Sequence, residues 1–112
     1  MINLFMNKYE CKLSTRAILG IEKALGDNPV NLIIKNEDSI PTLNTLLTIL
    51  FYSIRKANPQ IRTMDNVIDL YDEFIDEGGS IVELSKFVME LIKDSGLIGS
   101  GEGSTGDSER KN

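Results

Sequence analysis

The densest run of chemistry-bearing side chains in this sequence lies between residues 65 and 77, where Asp65, Asp69, Asp72, Glu73, Asp76 and Glu77 crowd together without a Lys or Arg. Oxygen donors at that density raise calcium first. An EF-hand loop needs them at positions 1, 3, 5 and 12, with glycine at 6. Counted from Asp76, Gly78 falls at position 3, Ile81 at 6 and Phe87 at 12; counted from Asp72, Phe74 falls at 3. Neither register binds calcium. Carboxylates working as general acid and base need surroundings that raise the pKa of one of them, and nothing in this spacing builds such a pocket. Two readings remain: a solvated face that supplies solubility, or an acidic docking surface for a basic partner, with Asp65, Asp69, Asp72, Glu73 and Asp76 as its residues.

Other reactive types are sparse. Cys11 is the single cysteine and alternates with Tyr9 and Leu13, which reads as a small buried apolar residue rather than a nucleophile. It allows no internal disulfide and fits a reducing compartment. The chain has no histidine, which removes the commonest general base and metal ligand. Gly101, Gly103 and Gly106 match G-x-G-x-x-G, but a dinucleotide fingerprint needs a strand before it and a helix after it. Here polar residues stand on both sides. No catalytic residue, cofactor or metal is expected.

Around these residues the hydrophobic pattern predicts a mainly α, small α+β domain over residues 1–97, followed by a flexible Gly/Ser-rich tail at 98–112. Ile2, Leu4 and Met6, then Tyr9, Cys11 and Leu13, alternate with period two and predict a short hairpin turning near Asn7. Four amphipathic helices follow. The first is capped by Ser14 or Thr15, buries Ala17, Ile18, Ile21, Ala24 and Leu25, and ends at Gly26. Gly20 inside it implies close approach of another backbone. Asn28-Pro29 opens one or two further turns, with an extended Leu32-Ile33-Ile34 as the alternative. Pro41 opens the longest apolar helix, which runs to Ala57 before Asn58-Pro59 stops it. Its stripe is Leu43, Leu46, Leu47, Leu50, Phe51, Ile54 and Ala57; Ile49 and Tyr52 project off it, either against neighbouring segments or as a partner-binding surface. Thr63 starts the acidic helix, with Met64, Val67, Ile68, Tyr71, Phe74 and Ile75 inward, and Gly78-Gly79 ends it. Ser80 and Glu83 form an S-x-x-E capping box for the last helix, which buries Ile81, Leu84, Phe87, Val88, Leu91 and Ile92 and closes at Gly96.

The formal net charge of -5 argues against a nucleic-acid partner. Its distribution is uneven: Lys8, Lys12, Arg16 and Lys23 make the first third basic, while the helix from Met64 is acidic. That asymmetry is satisfied either within one molecule or between copies, as a homo-oligomer. No apolar run is long enough to span a membrane and the first twenty residues carry no signal-peptide block, so cytoplasmic residence is expected.

Lys12 to Asn31, KLSTRAILGIEKALGDNPVN, resembles the small tail assembly chaperones of long-tailed phages and prophages of Gram-positive bacteria. Members commonly read as a basic strand, a Thr-x-Arg helix start and an I-E-x-x-L-G-x-N-P turn; the turn is matched at Ile21 to Pro29, while Thr15 and Arg16 stand adjacent at the helix start. It continues through Ile40-Pro41-Thr42-Leu43, the Leu46 to Leu50 helix and Asp69 to Gly78, and ends near Ser95-Gly96. The resemblance implies a non-enzymatic protein that coats the tape measure protein in the host cytoplasm and keeps it soluble. It further implies help in tail tube assembly, contact with tail tube protein through a frameshifted longer form, and absence from the mature virion. Two other classes fit the composition: an acidic inhibitor that occupies a nucleic-acid site on a host enzyme, and a structural head-tail connector. The inhibitor needs acids from several elements converging on one surface, and here one helix carries most of them.

Overall fold

The computed structural model describes residues 2–4, 9–33 and 40–97, with side chains in the last two ranges. Strands β1 (Ile2–Leu4) and β2 (Tyr9–Cys11) precede helices α1 (Thr15–Leu25), α2 (Pro29–Ile33), α3 (Leu43–Ile54), α4 (Met64–Asp76) and α5 (Ile81–Ser95). The fold is mainly α with a small β element, as the periodicities predict. The strands pair antiparallel with Ile2 opposite Cys11 and Leu4 opposite Tyr9. The predicted turn at Asn7, and the tail at 98–112 with its glycine motif, lie outside the described residues.

The helix boundaries follow their caps. Ser14, not Thr15, caps α1 by accepting from the Ala17 N–H, and Gly26 ends the helix in the left-handed region at φ 77°. Asn28 accepts from the Asn31 N–H, which settles the Asn-Pro pair as a helix start and makes Leu32-Ile33 helical rather than extended. Thr42 caps α3, which starts at Leu43, two residues after the expected proline start, and gives way at Ile54 to a turn over 55–57. The reciprocal capping box is found at α4, where Thr63 and Asn66 satisfy each other's backbone N–H groups. At α5 the predicted box forms in part. Ser80 accepts from the Glu83 N–H, while the Glu83 carboxylate meets the Ser80 hydroxyl at 3.4 Å.

At the centre sits α3, which packs on α1, α4, α5 and β2. With four elements packed on it the middle of this helix has no polar face to spare, so burial runs unbroken from Leu46 to Phe51 and resumes at Ser53 and Ile54. Ile49 is fully buried, at 0% exposure. This corrects its reading as an exposed partner contact. A residue off the apolar stripe reaches solvent only where its side of the helix lacks a neighbour, and at Ile49 the packing leaves no such opening. Its tethers are polar: the Lys12 N–H donates to the Ser53 carbonyl at 2.8 Å. The buried Asn58 amide donates to the carbonyls of Glu10 and Ile54 at 2.9 and 2.7 Å. These bonds tie β2 to the end of α3.

On α4 the buried residues are Val67 and Leu70. Ile68 and Ile75, expected inward, stand 42% and 41% exposed, and Ala24 of α1 is exposed as well. A stripe the width predicted for α4 needs a neighbour on both flanks of its buried edge. Among the described elements α3 is its main neighbour, and Ile68 and Ile75 lie off the side that it covers.

Candidate functional site

Two surfaces gather the polar and unpartnered side chains. The first is α4. All five predicted site carboxylates, Asp65, Asp69, Asp72, Glu73 and Asp76, are exposed on this helix, and no described cation pairs with any of them. Beside them Met64, Ile68, Tyr71 and Ile75 recur at four, three and four residues, the spacing that lines up one edge of a helix. Met64 and Tyr71 are half-buried, so the edge emerges from the core and ends in the two exposed isoleucines. An apolar edge beside a row of carboxylates is the complement of an amphipathic helix with basic flanks. Among the described residues, no group of three or more acidic or cysteine side chains is placed to hold a metal ion.

The second surface is a groove of about 820 Å³ between α1 and the end of α3. Tyr52 forms its wall. The ring lies over Gly20 so closely that a Cβ there would meet Tyr52 Cε1 at 2.5 Å and Cδ1 at 2.8 Å. Gly20 therefore admits an aromatic side chain rather than the second backbone expected at that position. The Tyr52 ring also makes an edge-on contact with Phe51, centroids 5.2 Å apart. The Arg55 guanidinium sits 5.0 Å from the Phe51 centroid and 5.6 Å from that of Tyr52, a cation–π arrangement that fixes a positive charge at the groove edge. Arg16 and Lys56 line the same groove, and Leu19, 60% exposed, stands at its rim. No described carboxylate pairs with these three cations.

Of the predicted site residues, Ile49 belongs to the core, Tyr52 to the groove and the five acids to α4; the structure does not bring Tyr52 and the acids together. Sequence reasoning had Arg16 only as part of a basic first third, and missed Leu19, Arg55 and Lys56. Their signal was indirect: a glycine inside a helix and a tyrosine off its stripe, which meet in space.

Cys11 is buried at 1% exposure, and burial pushes its thiol from 9.0 up to about 12, against a smaller lowering by a hydrogen bond with Ser53. A thiol that stays protonated is no nucleophile. No helix among the described residues is long and apolar enough to cross a membrane.

A family model described as a family of unknown function (DUF6096) matches residues 2–109. No curated protein and no solved structure matches the chain.

Proposed function

This chain belongs to that family of unknown function, and we propose that it is a non-enzymatic phage tail assembly chaperone: it binds the tape measure protein, keeps it soluble in the host cytoplasm and promotes tail tube assembly around it. The ordered series of motifs from Lys12 to Gly96 suggests the role, and the outward surface of α4 is the observation that carries it. There Ile68 and Ile75 are exposed beside Asp65, Asp72 and Asp76. A long helical partner with basic flanks would lie along that edge, isoleucines against its apolar stripe and carboxylates against its Lys and Arg. Each contact is small. Repeated along an extended chain by many copies, small contacts give high occupancy through avidity.

A longer form reaching tail tube protein, and absence from the finished virion, belong to the same proposal. Concentration of the acids on one helix speaks against phosphate mimicry, which needs acids converging from several elements.

Reversing Asp69, Asp72 and Asp76 to Lys tests the assigned surface. All three are exposed, so the far-ultraviolet circular dichroism should keep its helical signal. Co-purification with a co-expressed tape measure protein should be lost. Undiminished co-purification by the folded variant would return those residues to a solubility role.

A further inference from the structure

We propose that the α1/α3 groove receives α4 of a second copy of this chain. The two surfaces are complementary in charge and in apolar content. The groove presents Arg16, Arg55 and Lys56, exposed and without a described carboxylate partner, around Tyr52 and the 60%-exposed Leu19. The outward edge of α4 presents the reverse, Ile68 and Ile75 bordered by carboxylates that no described cation neutralises. At about 100° per residue, Asp65, Asp72 and Asp76 fall next to the isoleucines, while Asp69 and Glu73 lie farther round the helix. Three cations thus face three carboxylates as Leu19 and Tyr52 cover the isoleucines.

The contact is intermolecular by construction. Val67 and Leu70 are the buried side of α4, which packs on α3, so its carboxylates point away from their own chain. Tyr52, on the same α3, packs against Gly20 of α1. A small anion would satisfy the cations but leave Leu19 and the tyrosine wall wet. A helix edge carrying both acid and isoleucine satisfies both. The acidic half of this contact is the surface assigned above to the tape measure protein, so self-association and partner capture compete for α4; only that competition rests on the preceding proposal.

Sedimentation velocity on the full chain tests the contact. Wild type should self-associate as concentration rises and dissociate as salt is added, because screening weakens exposed charge pairs. Arg16→Glu with Lys56→Glu should weaken association at least about tenfold, as should Asp72→Lys with Asp76→Lys. Arg55 is left untouched because it stacks on Phe51, and a glutamate at 16 sits in the first turn of α1, where the helix favours it. Mixed in equal amounts, the two variants should form a one-to-one complex, since each retains the surface the other lacks. Leu19→Asp, at an exposed position, should weaken association without reversing a charge pair. A wild-type chain that stays monomeric at every concentration leaves the groove to some other partner and overturns the proposal. So do charge-reversed variants that associate as wild type does, or a mixture that forms no complex. Capture of the tape measure protein by the Arg16→Glu/Lys56→Glu variant should persist, and this separates failure of self-association from failure of the chaperone role.

Discussion

Gly20 and Tyr52 behave as one unit. In an exposed helix interior, glycine to alanine gains up to about 1 kcal/mol. At this position the added methyl would meet the Tyr52 ring at 2.5 Å, and the ring is wedged against Phe51. Gly20→Ala alone should therefore destabilise the fold by about 1–3 kcal/mol, the range for overpacking. In a Tyr52→Ala background the same change should become stabilising. Chemical denaturation of the four proteins in this cycle measures the sign change; alanine costing the same in both backgrounds would mean the ring does not set the requirement. Asn58 is a second such residue. Replacing its amide by Leu leaves the carbonyls of Glu10 and Ile54 without their donor, at a cost of about 1–3 kcal/mol readable as a lower denaturation midpoint. Cys11 gives a pH signature. The folded state holds its thiol proton more tightly than the unfolded chain, so the thiol costs nothing below 9.0, and stability falls as pH climbs from there to about 12. Cys11→Ala should therefore lose less stability than wild type across that window, compared by denaturation at each pH.

At the scale of elements, caps decide where helices begin and neighbours decide what they bury. Thr63→Ala removes the hydroxyl that accepts from the Asn66 N–H and should cost about 1 kcal/mol, with Asn66→Ala, which removes the acceptor for the Thr63 N–H, costing a similar amount. Thermal unfolding of the two single variants and the double variant should show the losses falling short of additive, because both remove one shared arrangement. Boundaries were legible in sequence wherever a single residue type enforces them: Ser14, Gly26, the Asn28-Pro29 pair, Thr63 and Gly96 all act as their chemistry predicts. Facing was less legible. A 3.6-residue period marks the side turned to a neighbour only if one neighbour is present, and the two helices that matter most depart from that condition in opposite directions. Packing of α3 against α1, α4, α5 and β2 takes Ile49 out of the candidate site, whereas α4 packs mainly on α3 and leaves Ile68 and Ile75 exposed. The five acids were readable because charge on an unpaired helix goes to solvent. The cations of the groove were not, because Arg16 and Arg55 come together only when α1 is laid on α3.

For the whole molecule, the same chain carries an acidic, apolar helix edge on one element and a basic, aromatic groove between two others. Its fold is small, its one thiol is buried, and the acidic face of α4 and the basic groove between α1 and α3 lie on different elements. In the proposed roles, α4 serves either a helical partner or the groove of another copy, and the two compete. The most direct test of the chaperone role is co-expression with a tape measure protein, followed by separation of soluble from insoluble material and affinity capture through this chain. The proposed role predicts a tape measure protein that moves into the soluble fraction as this chain is supplied and is retained with it in excess of one copy per partner. A tape measure protein that stays insoluble and uncaptured at every ratio would contradict it.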